Sequence, residues 1–308
     1  MLKPFYTGNY VNNPDTSSGG RIARTLCNKV GDFCASRIIR SGASSTLHLR
    51  RYFYVLGAKT YNVTTNQWKE VNVTGGEFNF GNRTSSQYVS VPESGLGFIY
   101  GGTDYMGGMI RFDASDLENL LWTNETLGNG SHRSNVPNLE SAAMVFIPAG
   151  DKGMLVTFGG GNVSAGISPD SGWPYDSNWL TVYVYDIASH TWRAQEASGD
   201  TPFHRTSFCA VVTEAADGSA FHITTYGGWS LLDQRSYEDI DATDLSNHTN
   251  KGQQVNVNPT IGRDSLTGAC QVYRGTEMIV LGGEVREGAY SLANGACSNT
   301  FEPARALD

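Results

Sequence analysis

Three side chains in "QEASGDTPFH" have the chemistry of a metal site: Glu196, Asp200 and His204, at four-residue intervals. Two carboxylates and one imidazole form the facial set that suits non-haem Fe(II), with positions left open for a substrate. The competing reading takes 193–205 as a connector. Gly199, Asp200 and Pro202 are turn residues, and "PFHRTSF" has the apolar pattern of a strand beginning. Other chemistry is thinly represented. The six histidines, His48, His132, His190, His204, His222 and His248, are scattered, and the five cysteines have no C-x-x-C spacing, which removes zinc-ribbon and thioredoxin-like readings. No Ser-His-Asp grouping or paired-carboxylate motif is recognisable, and "FGGGN" at 158–162 lacks the following helix that a phosphate loop needs.

The elements that must position these residues come from a repeat. A short apolar strand ends in a glycine pair four times: "LGFIYGG" (96–102), "GMLVTFGG" (153–160), "FHITTYGG" (221–228) and "EMIVLGG" (277–283). "YFYVLGA" (52–58) is a fifth copy with one glycine lost. A second signal follows the glycines. Tyr61 and Trp68, then Tyr185 and Trp192, are seven apart, and Phe112 and Trp122 repeat the pattern with a longer turn. Each reads as strand, polar turn, strand, so the chain is expected to fold as successive four-stranded sheets. A large ring buried between neighbouring sheets is worth up to about 5 kcal/mol at ~25 cal/mol per Å². In the fourth copy, after Gly228, Tyr237 has no Trp at the right distance, which leaves the outer strands there without a signature.

This order of strand, glycine pair, Tyr and Trp resembles the kelch repeat. The resemblance implies an all-β, kelch-type β-propeller of about five to seven four-stranded blades, in a complete or incomplete ring. "VYVYDIASHTW", "TPFHRTSFCAVV" and "GACSNTFEPARALD" are similar to the kelch-repeat surface proteins of filamentous fungi. That family implies a glycosylated, secreted or single-pass cell-surface protein, relative to which this chain is expected to be incomplete at both ends. The E-x3-D-x3-H spacing is similar to that of plant specifier proteins, kelch propellers that hold ferrous iron; Fe(II) on Glu196, Asp200 and His204 is the enzymatic alternative. The copper site of galactose oxidase, another kelch enzyme, is not matched by the scattered histidines.

Thirty-six glycines, 11% aromatics and 17% charged residues suit short strands and tight turns. A net charge of -8 argues against nucleic acid as a partner, which requires clustered Lys and Arg. Residues 1–51 are nevertheless basic and unlike the rest, so the chain divides into an atypical segment, 1–51, and a propeller, 52–308. No apolar stretch reaches the length of a membrane span, and the first residues lack the apolar core of a secretory signal. Seven Asn-x-Ser/Thr sequons, at Asn62, Asn72, Asn82, Asn124, Asn129, Asn162 and Asn247, exceed the roughly four expected by chance. Cys270 and Cys297, flanking one glycine-pair strand, are expected to form a disulfide, with Cys209 a buried thiol. The expected function is a non-catalytic scaffold with no cofactor. Its protein or glycan partner would dock on loops carrying Asp104, Tyr105, Trp173, Tyr175 and Trp179.

Overall fold

The computed structural model describes residues 46–49, 52–55, 59–62, 67–70, 72–75, 86–91, 93–102, 108–116, 119–125, 136–167, 174–176, 179–199, 202–230, 235–237, 240–244, 251–255, 269–273, 277–281 and 304–307. The fold is all-β, a succession of small, mainly antiparallel sheets.

Sheet 1 is an antiparallel meander of β1 (Thr46–Leu49), β2 (Tyr52–Val55), β3 (Lys59–Asn62) and β4 (Gln67–Glu70). Sheet 2 contains β5 (Val73–Gly75), β6 (Gln87–Val91), β7 (Leu96–Tyr100), β8 (Met109–Asp113) and β9 (Leu120–Asn124), in the spatial order β5-β9-β8-β7-β6. After β10 (Leu139–Glu140), sheet 3 starts with β11 (Ala143–Ile147) and β12 (Met154–Phe158). An excursion, β13 (Gly161–Ile167) and β14 (Pro174–Asp176), joins β10 in a small sheet of its own before β15 (Thr181–Asp186) and β16 (Thr191–Glu196) complete sheet 3. Sheet 4 has the order β17-β23-β22-β19-β18, from β17 (Ser198–Gly199), β18 (Cys209–Glu214), β19 (Phe221–Tyr226), β22 (Ile240–Asp244) and β23 (Lys251–Val255). Between β19 and β22 a two-stranded ribbon, β20 (Trp229–Ser230) with β21 (Arg235–Ser236), stands apart. Sheet 5 comprises β24 (Ala269–Tyr273), β25 (Glu277–Leu281) and β26 (Ala304–Leu307).

Every strand expected ahead of a glycine pair is the second strand of its sheet: β2, β7, β12, β19 and β25. Positive φ at Gly159 and Gly160 (68° and 75°) turns the chain out of β12, and a Cβ on Gly160 would overlap the carbonyl oxygen of Glu140. The aromatic pairs are directly opposed cross-strand partners: Tyr61 with Trp68, Phe112 with Trp122, and Tyr185 with Trp192. Tyr185 and Trp192 also reach the preceding sheet, with ring centroids 6.2 Å from Phe98 and 5.0 Å from Tyr100 respectively.

The first antiparallel strand of each sheet lies beside that of the next, in the succession β1, β6, β11, β18, β24. Apolar clusters fill the seams between sheets. Phe98, Tyr100, Leu155 and Tyr185 belong to the cluster joining sheets 2 and 3, and Phe158, Trp179, Phe208 and Ile223 to the one joining sheets 3 and 4. The connector leaving one sheet becomes a parallel edge strand on the next: β5 pairs with β9, and β17 with β23.

Two expectations change. The division at residue 51 leaves out β1, whose four residues pair in full register with β2. Sheet 4 has both outer strands despite lacking a Tyr–Trp pair, because Ile240 to Thr243 align with Val255 to Gly252 through backbone hydrogen bonds that need no aromatic partner.

Candidate functional site

The described glycine pairs, Gly101–Gly102, Gly159–Gly160 and Gly227–Gly228, lie at the end of each sheet where the connector arrives. There each connector is stitched to the preceding turn through the backbone: Gly102 N donates to Leu139 O at 2.9 Å, and Gly160 N to Arg205 O at 3.1 Å. Leu139 and Arg205 occupy equivalent places, four residues before β11 and β18. Two residues further on, Ser141 and Ser207 both adopt left-handed φ (49° and 58°), and Ser207 N donates to Ser141 O at 2.7 Å. A non-glycine residue in that region persists only where its surroundings hold it. The connectors are thus fixed rather than slack, and side chains on them are presented in defined positions.

Arg205 is the centre of this end. It is fully buried, its Nε donating to Phe203 O (3.1 Å) and its Nη1 to Gly227 O (3.2 Å). The guanidinium lies 4.3 Å from the ring centroid of Tyr237 and 5.9 Å from that of Trp179. A desolvated cation over an aromatic face contributes on the order of 2 kcal/mol. Tyr237 is pinned in turn, its backbone N donating to Gly228 O at 2.9 Å. On its ring lies Phe203, stacked at 5.8 Å and 8° yet 58% exposed. An apolar ring held flat on a buried base and offered to solvent is a preorganised contact for a partner, because it loses little side-chain entropy on binding.

Two buried amides are anchored to this end through their nitrogens. Gln87 Nε2 donates to Leu139 O at 3.2 Å, and Asn138 Nδ2 to Gly102 O at 3.1 Å. Glu140 is also buried, and that burial raises its carboxyl above the ordinary glutamate range.

A second cluster ties sheets 2 and 3 together. The Glu125 carboxylate, just past β9, forms an ion pair with Arg111 (2.9 Å) and accepts from Tyr185 OH (2.8 Å) and His190 Nδ1 (2.7 Å). Burial, and then the charge of Glu125, push the Tyr185 phenol well above its ordinary value. His190 sits with positive φ at the β15–β16 turn, opposite Asp186, whose carboxylate accepts from the backbone N–H groups of Ser189 and Ala188 and is thereby lowered below its usual range.

Among the residues singled out from sequence, Trp179 is displaced most. It is not a loop contact but a core residue, 6% exposed and packed against Phe158 (5.8 Å) and Phe208 (4.8 Å), because the chain has already returned to sheet 3 at that point. Tyr175 lies on β14, whereas Asp104, Tyr105 and Trp173 lie outside the described residues. Glu196 closes β16 and is exposed; the chain then continues as β17 along the edge of sheet 4. His204 is exposed beside Phe203, and Asp200 lies outside the described residues. Among the described residues no three His, Cys, Asp or Glu side chains come together as metal ligands.

The disulfide is also corrected. Cys270 is bonded to Cys209, with Cα atoms 5.9 Å apart, because both stand on adjacent inner strands. Cys297 lies outside the described residues. Of the sequons, Asn72 is exposed, while Asn124 and Asn162 are half-buried, with Asn162 Oδ1 accepting from Ala165 N at 3.1 Å. Asn62 is on β3, and Asn82, Asn129 and Asn247 lie outside the described residues. The Phe203–Tyr237–Arg205 stack and the Glu125 cluster were not anticipated. "FHR", just ahead of β18, was the one signal for the stack, since a lone charge within an apolar strand entry must find a buried partner.

No protein-family profile matches the chain. Over 124 residues, 39% of its length, it is 30% identical to a "Kelch repeat-containing protein" of Arthroderma benhamiae, and it spans 17% of that relative. Among solved structures, one described as "Structure of YjhT" superposes with a TM-score of 0.52 at 10% identity, covering 80% of this chain and 72% of that one. That neighbour has a propeller fold. Together these establish a distant kelch-repeat likeness and a propeller-like arrangement of sheets. Among the described residues no helix is long and apolar enough to cross a membrane.

Proposed function

We propose that the chain is a kelch-type β-propeller of five to seven blades acting as a non-catalytic scaffold, exported to the fungal cell surface or secretory pathway, and binding a protein or glycan on its glycine-pair end. The observation that carries this is the exposed Phe203 ring fixed on Tyr237 and Arg205. The five sheets and the likeness to a fungal kelch-repeat protein support the fold reading, and the Cys209–Cys270 bond with the exposed sequon at Asn72 supports export.

The test compares the full chain with a Phe203→Ser variant on a glycan array and in cross-linked capture from fungal cell-surface extract. Phe203 is exposed, so the variant is expected to melt like the parent while losing its specific ligand. Identical binding by both refutes this use of the glycine-pair end. An anaerobic Fe(II) titration that finds one equivalent bound, and lost in both Glu196→Ala and His204→Ala, replaces the scaffold by the iron-dependent enzyme.

A further inference from the structure

Sheets 4 and 5 meet along their inner strands, β18 and β24. Where sheets 3 and 4 bury Phe158, Trp179 and Phe208 between them, the described part of this next seam is made of Cys209, Val211 and Met278, with Tyr226 and Cys270 against them. Cys209 and Val211 are small, so over the described residues this seam buries less apolar side chain than its neighbour. Backbone ladders do not bridge it either: β18 pairs with β19, and β24 with β25. Cys209 opens β18 opposite Tyr226, and Cys270 faces Val280 within β24. Their bond therefore joins two sheets across 61 residues of sequence.

We propose that Cys209–Cys270 is a redox-dependent clasp that holds the fifth sheet on the fourth, and that reducing it releases sheet 5 while sheets 2, 3 and 4 stay packed. A dithiol supplies the two electrons. Its thiolate attacks one cysteine sulfur and breaks the S–S bond; it then closes to its own cyclic disulfide, and the two protons end on Cys209 and Cys270 as thiols. Cys270 is half-buried and Cys209 buried, so Cys270 is the sulfur a solvent reductant reaches first. Release uncovers Val211 and Tyr226 on sheet 4, and Met278 on the departing sheet 5.

The full chain, purified from an oxidising host, is mapped by peptide mass analysis without reduction. It is then followed by hydrogen exchange with and without dithiothreitol, with alkylation confirming that the bond has opened. Exchange in 269–273 and 277–281 is expected to accelerate about tenfold or more on reduction, while 154–158 and 181–186 keep their protection. A Cys209→Ser/Cys270→Ser variant is expected to reproduce the reduced pattern without dithiol. A native chain lacking the Cys209–Cys270 peptide overturns the proposal. So does unchanged exchange in β24 and β25 after verified reduction, and so does equal acceleration in every sheet.

Discussion

Removing the Glu125 carboxylate tests whether it ties sheets 2 and 3 together. In Glu125→Ala three donors lose one acceptor. Arg111 and His190 have side chains 21% and 46% exposed and can turn to water, at a cost near that of a surface ion pair, up to about 1 kcal/mol. Tyr185 cannot, because the residue is 1% exposed; its hydroxyl loses the charged acceptor and keeps only His190 Nδ1 at 3.1 Å, at a cost of about 1–3 kcal/mol. The total is about 1–4 kcal/mol. Unfolding entropy of ~2.1 cal/mol/K per residue gives roughly 0.65 kcal/mol/K for a chain of 308 residues, so the melting temperature is expected to fall by about 1.5–6 °C. Glu125→Gln retains a carbonyl acceptor and is expected to lose about half as much. Thermal and urea melts of the two variants, of Tyr185→Phe and of Glu125→Ala/Tyr185→Phe close a double-mutant cycle, with an expected coupling of about 1 kcal/mol or more. Strict additivity, or a Glu125→Ala melt within a degree of the parent, refutes the inter-sheet cluster.

Trp192 is half-buried against Tyr100 and Tyr185, so Trp192→Ala is expected to cost about 2–3 kcal/mol in a urea melt, below the ~3–5 of a fully buried ring. Glu140 gives a pH signature. Because burial raises its folded-state pKa above the unfolded value, the stability linked to its neutral form is complete below the unfolded pKa of about 4.3 and is lost as pH rises through the folded value. Glu140→Gln is therefore expected to melt above the parent at pH 7, with the gap closing toward pH 4; a gap that widens on acidification contradicts the burial. Asn72 is exposed, and chain exported from a yeast or fungal host is expected to carry a glycan there, so that Asn72→Gln lowers the intact mass by one glycan. Asn162 is half-buried with its amide fixed by the bond from Ala165 N, and peptide mapping is expected to find that site empty.

What could be read from sequence is the interior of each sheet. A glycine pair and a Tyr–Trp spacing are local signals, because the strands that they mark are joined by short turns and paired side by side. Sheet 4 marks the limit: β22 and β23 carry polar residues, "IDATD" and "KGQQV", and their pairing leaves no periodic trace. Trp179 shows a different limit. Composition around 162–179 is that of an exposed loop, and nothing local says that the last aromatic before β15 already faces Phe158 and Phe208.

Of the contacts that give this molecule its candidate site, Gly160–Arg205 and Arg205–Trp179 cross from sheet 3 to sheet 4, while Phe203, Arg205 and Tyr237 meet within the fourth. Arg205 leads into sheet 4 yet caps the glycine turn of sheet 3; Tyr237, far along the chain, supplies the ring beneath Phe203. Cys209 meets Cys270 rather than Cys297 for the same reason, since inner strands of consecutive sheets are neighbours whatever the sequence between them. A repeat motif fixes which residues lie within a sheet, but the partner across a seam depends on how two copies are set against each other. Connectors determine that setting here, through left-handed Ser141 and Ser207 and the hydrogen bond between them. The consequence for function is that the glycine-pair end is specified by connector residues, which vary from copy to copy, on top of a scaffold that does not. Phe203→Ser and Trp192→Ala separate the two levels: the first is expected to alter binding without altering the melt, the second to alter the melt through the seam between sheets 2 and 3.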